Sequence, residues 1–148
     1  MFTINLSQMR GEMNLPAWEE VEHTADWSLR VRGADLRSLF ENAARGMVSL
    51  LGDAKPTEIT FHRVIEVSAI DTESLLVEWL TELLYILEED LIFSEINVKQ
   101  IEGNTLIGEV SGGPPDQPPM KIIKAVTYHL LEIRPTDTGY ETVLVFDV

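Results

Sequence analysis

The sequence predicts an α+β domain in which a mostly antiparallel β-sheet is covered on one face by two α-helices. Three observations carry that expectation. A period-two run begins near Val21, two runs with helical periodicity each follow a capping aspartate, and a cluster of strand-like segments with turn signals between them fills the rest. With 148 residues, 45% of them hydrophobic, the chain suffices for one core and is too short for two ordinary domains.

Residues 1–12 read as an N-terminal extension and 13–148 as the domain, because Gly11-Glu12 and Pro16 discourage a helix there. Trp27, Leu29 and Val31 alternate with Ser28, Arg30 and Arg32, which is the pattern of a half-buried strand, and Gly33 ends it. Asp35 is the N-cap expected for a helix running to about Leu51, with Leu36, Leu39, Phe40, Ala43, Met47, Val48 and Leu51 as its apolar stripe and Gly52 as its stop. A second strand covers roughly 58–69. The second helix starts from a cap at Asp71 or Thr72 and reaches about Glu89; its leucines and Trp79 cover more than one stripe, so it should be buried on two sides. Gly103-Asn104 joins 96–101 to 106–110 as a hairpin turn. The run Gly112-Gly113-Pro114-Pro115-Asp116-Gln117-Pro118-Pro119 suits neither a helix nor a central strand and is expected as a mobile surface loop. Two last strands, 121–133 and 140–148, are joined through Arg134-Pro135-Thr136-Asp137-Thr138-Gly139.

Composition removes several function classes. The chain has no cysteine, hence no disulfide framework, thiolate metal site or cysteine nucleophile. It has no apolar run near the roughly 20 residues a membrane span needs and no signal-peptide pattern, so a soluble, cytoplasmic protein is expected. A formal net charge of −14 argues against unaided binding to a phosphate backbone, where affinity comes from Lys and Arg displacing counterions. Such acidity serves solubility in most proteins, and it also favours cations and basic protein surfaces. Neither a GxxxxGK[ST] loop nor GxGxxG occurs, the three histidines (His23, His62, His129) lack the spacing of a zinc protease helix, and no GxSxG elbow presents a serine.

Two carboxylates stand out by position. Asp26 closes His23-Thr24-Ala25-Asp26 at the start of the first strand, and Asp147 precedes Val148 at the end of the last. Brought together they would repel unless a cation or a proton sat between them. Oxygen donors of this kind suit Ca²⁺, Mg²⁺ or Mn²⁺ better than zinc, and Val148 would add oxygens if its carboxylate is the chain terminus. Each residue also has an ordinary role, Asp26 as a turn cap and Asp147 as a solvated end residue, and composition alone favours those roles.

Four motifs in order shift that balance: Glu22-His23-Thr24-Ala25-Asp26 with Gly33 downstream, Trp79-Leu80 to Leu83-Leu84-Tyr85, Lys124-Ala125-Val126-Thr127-Tyr128-His129, and Val145-Phe146-Asp147-Val148. In these the chain resembles the archease family from about Leu15 to its last residue. The resemblance implies a small α+β accessory protein that activates RtcB, the RNA ligase of tRNA splicing and RNA repair that joins 2′,3′-cyclic-phosphate or 3′-phosphate ends to 5′-hydroxyl ends. It implies promotion of the ligase's histidine guanylylation and of multiple turnover, a divalent-metal site at Asp26, Asp147 and Val148, and supporting or partner-contact roles for His23, Lys124 and His129. Family members are also linked to chaperoning of RNA-modifying enzymes such as a tRNA methyltransferase.

Three readings follow. The first is a non-catalytic metal-binding activator that meets the ligase and does not bind nucleic acid itself. The second is a chaperone-like binding module, which would work without the metal residues. The third is a metal-dependent hydrolase or nuclease using Asp26 and Asp147, the weakest because no general base or nucleophile accompanies the pair.

Overall fold

A computed structural model describes residues 15–21 and 27–148. In chain order the described elements are β1 (Trp18–Val21), β2 (Trp27–Gly33), α1 (Leu36–Ser49), β3 (Phe61–Ser68), α2 (Thr72–Glu88), β4 (Ile92–Glu102), β5 (Thr105–Gly113), β6 (Ala125–Thr127), β7 (Arg134–Thr136) and β8 (Gly139–Asp147). The α+β class, the two helices and the antiparallel pairing all hold in one domain. The strands divide into two sheets: β1-β2-β8-β6, with β7 also paired to β8, and β3-β5-β4. Both helices pack against strands of both sheets, so a single core joins the two layers.

Local chemistry sets the helix boundaries. The Asp35 carboxylate accepts from the Ser38 N–H at 2.8 Å while the Ser38 hydroxyl accepts from the Asp35 N–H at 3.1 Å, a reciprocal cap that satisfies orphan donors at the start of α1. Asp71 does half of this for α2 through the Ser74 N–H at 2.7 Å. Of the predicted stripe of α1, Leu39, Phe40, Ala43 and Met47 are fully enclosed, and Leu36 and Val48 are half-buried against the core. On α2, Leu75, Leu76, Trp79, Leu80 and Leu83 are fully enclosed too, as expected of a helix covered on two sides. Trp79 fixes the helices to each other, its indole N–H donating to the Phe40 carbonyl at 3.1 Å.

The predicted hairpin is present. Gly103 takes φ +60 at the first turn position, and the Asn104 side chain donates to the Ile70 carbonyl at 3.0 Å. Two expectations need correction. Residues 121–133 form only the three-residue β6, because a turn closed by the Leu131 N–H on the Tyr128 carbonyl (3.1 Å) ends the pairing. The proline-rich segment is pinned in place. The Thr57 N–H donates to the Pro114 carbonyl and the Asp116 N–H to the Lys55 carbonyl, both at 2.8 Å, and the Asp116 carboxylate accepts from the Lys55 N–H at 3.0 Å. Proline has no N–H to give, but its carbonyl and its neighbour Asp116 supply the bonds. The expected extension at 1–12 lies outside the described residues, as do His23 and Asp26.

Candidate metal and partner site at one end of the β2–β8 pair

The antiparallel pairing of β2 with β8 sets Trp27 opposite Phe146, and that of β6 with β8 sets Ala125 opposite Asp147. The start of β2, the end of β8 and the start of β6 therefore share one end of the sheet. Four apolar side chains, two on each strand, hold it. Phe146 and Leu144 are fully buried on the core side of β8, and Leu29 and Val31 are fully buried on β2. Asp147 is thereby presented at the sheet end, exposed, with Val148 beyond it 39% exposed.

Lys124 joins this end through its backbone, its N–H donating to the Asp147 carbonyl at 2.7 Å, while its side chain is exposed. His129 lies past the opposite end of β6, where its N–H donates to the Thr127 hydroxyl at 3.3 Å. The structure therefore brings Lys124, Asp147 and Val148 together and sets His129 apart. The positions expected for His23 and Asp26 fall outside the described residues. Among the described residues no three His, Asp or Glu side chains gather into a metal-holding cluster. The donor that can be placed, the exposed Asp147 carboxylate, is a hard oxygen ligand that suits a hydrated hard cation better than a closed nitrogen site.

Two features of this sheet, one at the Asp147 end and one toward the opposite end of the β2–β8 pair, are not legible in the sequence. The Lys121 ammonium sits 3.4 Å from the ring centroid of Trp27, a cation–π contact between segments far apart in the chain. The other is a charge lattice across β1, β2 and β8. Glu141 on β8 lies 3.1 Å from Arg32 and 3.6 Å from Arg30, and Glu19 on β1 lies 3.0 Å and 3.5 Å from the same two arginines. The Arg32 guanidinium holds the Glu19 carboxyl below the usual carboxylate range. Alternating signs on neighbouring strands reinforce the register that puts Trp27 opposite Phe146. The outward Arg30-x-Arg32 pair of the predicted strand is the one signal of this lattice that the sequence carries. Its acidic partners are invisible without the strand order.

Comparison with known proteins extends this geometry. The model of the archease protein family (MTH1598/TM1083) matches residues 18–148. Protein archease of Methanosarcina acetivorans is 37% identical over 139 residues, covering 88% of this chain and 95% of that protein. Protein archease of Archaeoglobus fulgidus is 33% identical over 132 residues, covering 86% of this chain and 96% of that protein. The solution structure of Methanobacterium thermoautotrophicum protein 1598 superposes with a TM-score of 0.66 at 28% identity, over 89% of this chain and 99% of that one. A Thermotoga maritima crystal structure, described as that of an archease and possible chaperone, shares the fold with a TM-score of 0.65 at 24% identity, over 88% of this chain and 96% of that one. A family match that runs from the first residue of β1 to Val148, and so takes in the strand ends just described, together with relatives aligned over nearly their whole length, places the chain in the archease family.

Proposed function

We propose that this chain is a non-catalytic, metal-binding partner of an RtcB-type RNA ligase. It promotes guanylylation of the ligase's histidine and repeated turnover in tRNA splicing and RNA repair. The observation that carries the reading is the convergence of β2, β8 and β6 at the sheet end holding Asp147. Asp26 is the residue before Trp27, and Trp27 pairs with the residue before Asp147. Asp26, Asp147 and Val148 would hold Ca²⁺, Mg²⁺ or Mn²⁺ with water completing the shell. Bound there, the ion supplies positive charge suited to phosphate oxygens. His23, Lys124 and His129 are proposed as supporting or partner-contact residues.

Charge supports a protein partner over RNA. A net charge of −14 repels a nucleic acid backbone but steers the chain toward the basic surface that an RNA ligase must present. Among the described residues no helix is long and apolar enough to cross a membrane. A cytoplasmic location is part of the proposal.

The test is a multiple-turnover ligation assay with the cognate ligase, read alongside guanylylation of its histidine. Asp26→Ala and Asp147→Ala should each abolish stimulation while the protein stays folded, and the double variant should be no worse, as for residues that act as one unit. Additive partial losses, or full stimulation by either variant, would refute a shared site. A gel shift with tRNA at physiological salt should be negative.

The description of the Thermotoga maritima protein as a possible chaperone favours a second reading, a chaperone-like module for an RNA-modifying enzyme. That module would suppress aggregation of its client even with both aspartates replaced.

A further inference from the structure

Away from the β2–β8 end, a cavity of about 320 Å³ opens between the C-terminal part of α2, the residues following α1 and the proline-rich segment. Leu84 and Leu87 of α2 and Ile123 line it on one side, and Pro115 and Pro119 on the other. The prolines are held by the bonds between 114–116 and 55–57, and the Met120 N–H donates to the Leu51 carbonyl at 2.8 Å. The wall is preformed, so little order has to be imposed on binding. An apolar cavity of about 150 Å³ accommodates benzene, so this one has room for a large side chain or a pair of aliphatic ones. Its surroundings continue the apolar surface into solvent, with Ile122 72% and Met120 80% exposed.

Two carboxylates and one ammonium line the cavity, and the carboxylates lie together. Glu88 and Asp90 line it at the C-terminal end of α2, where the helix dipole is already negative and the last turn carries no basic residue. The neighbouring Glu89 is matched by Arg63 at 2.7 Å, whereas among the described residues neither Glu88 nor Asp90 has an ion-pair partner. Asp90 takes φ +61, a left-handed conformation that costs energy for a residue with a side chain. The one basic lining residue, Lys121, places its ammonium on the Trp27 ring. An apolar hollow with unmatched carboxylates around it is complementary to an apolar side chain flanked by cations.

We propose that this cavity is a docking pocket for an apolar anchor residue carried on a Lys- or Arg-rich amphipathic segment of a protein partner. The hollow takes the anchor, the carboxylates select basic flanks, and an acidic segment with the same apolar pattern is rejected. The pocket accounts for the proline-rich segment, which the metal-site reading leaves without a role.

Two synthetic amphipathic peptides of equal length and leucine pattern, one with lysine and one with glutamate at the polar positions, test this by titration into the ¹⁵N-labelled full chain. The Leu/Lys peptide should bind, moving the amide signals of Leu84, Leu87 and Ile123, and the Leu/Glu peptide should not. Ala54→Phe, which fills the hollow from its wall, should weaken binding about tenfold or more, as loss of an interface anchor does. Ile122→Ser does the same from the exposed rim, where folding is not at stake. Glu88→Gln combined with Asp90→Asn should weaken binding several-fold at low salt, since asparagine tolerates the left-handed conformation. Absence of Leu/Lys binding, equal binding of Leu/Glu, or unchanged affinity in both Ala54→Phe and Ile122→Ser would overturn the proposal.

Discussion

Replacing Gly108 with alanine tests the central packing contact of the domain. A Cβ at Gly108 would lie 2.6 Å from both Cη2 and Cζ3 of Trp79 and 3.2 Å from the Asn97 carbonyl oxygen. Carbon atoms prefer about 3.5–4.0 Å, so the overlap with the ring is about 1 Å. The ring has nowhere to go, being fully buried and held by its N–H on the Phe40 carbonyl. Overpacking a rigid core costs about 3 kcal/mol at the upper end of its usual range. Replacing a strand glycine returns about 1 kcal/mol of backbone entropy, leaving a net loss of about 2 kcal/mol. For a chain of this size that lowers Tm by about 4–8 °C. Thermal and urea unfolding followed by circular dichroism measure it. The decisive comparison is the double variant with Trp79→Phe, which removes the atoms that clash. It should be more stable than the two single changes sum to, by about 3 kcal/mol, the whole of the relieved overlap. Additivity within about 0.5 kcal/mol would show that the Trp79 ring does not rest on Gly108 and would refute the packing of α2 on β5.

Two other expectations concern single residues. Leu130 has φ +53 and is 85% exposed, so it bears left-handed strain with no burial to offset it. Leu130→Gly should raise stability by about 1 kcal/mol, seen as a Tm increase of about 2–4 °C; a decrease would contradict that backbone conformation. Hydrogen bonds from the Ser38 backbone, and then from its side chain, hold the Asp35 carboxyl below the usual aspartate range. A depressed carboxyl contributes stability above its unfolded pKa of about 3.9 and loses it as pH falls through the lower folded value. Asp35→Ala should therefore cost about 1 kcal/mol near neutral pH, and the gap to the unsubstituted protein should close in acid below about pH 4. Asp35→Asn, which caps without titrating, should keep its advantage over Asp35→Ala at every pH of a series of unfolding curves.

Legibility in the sequence depends on how local the cause is. Both helices can be read because Asp35, Asp71 and the apolar spacing act within a few residues. The Gly103-Asn104 hairpin can be read for the same reason, whereas the connection expected at 134–139 turns only at 137–138, since 134–136 pair with β8 as β7. Division into two sheets depends on which strands meet, and β2 finds its neighbours in β1 and β8, at opposite ends of the chain. The strand expected at 121–133 stops at a turn whose left-handed residue is Leu130, and leucine gives no warning of such a turn. The proline-rich run is plainly unfit for helix or central strand, yet its bonds to 55–57 depend on a distant partner. Of the candidate site, the Asp147 end can be placed because the apolar run Val143–Phe146 gives way to a carboxylate, which marks where the buried part of β8 stops. Lys121 cannot, since its partner Trp27 lies on another strand.

Position, and not the net charge, decides what the acidic surface of this protein can do. Glu19 and Glu141 are matched by Arg30 and Arg32, Glu89 by Arg63 and Glu109 by Lys99, so these carboxylates project little field outward. At physiological ionic strength an exposed charge is felt over about 8 Å, and distant acids cannot compensate for local neutralisation. The carboxylates that a partner meets are then those without an ion pair among the described residues, and Asp147, Glu88 and Asp90 are among them. Asp147 stands where three strands converge, and the other two border the apolar hollow beside α2. Both places present negative charge on a rigid frame, one beside open strand ends and one beside an apolar surface. A basic partner long enough to reach both would meet two different chemistries on one small domain, the proposed ion site at Asp147 and the proposed anchor pocket beside α2.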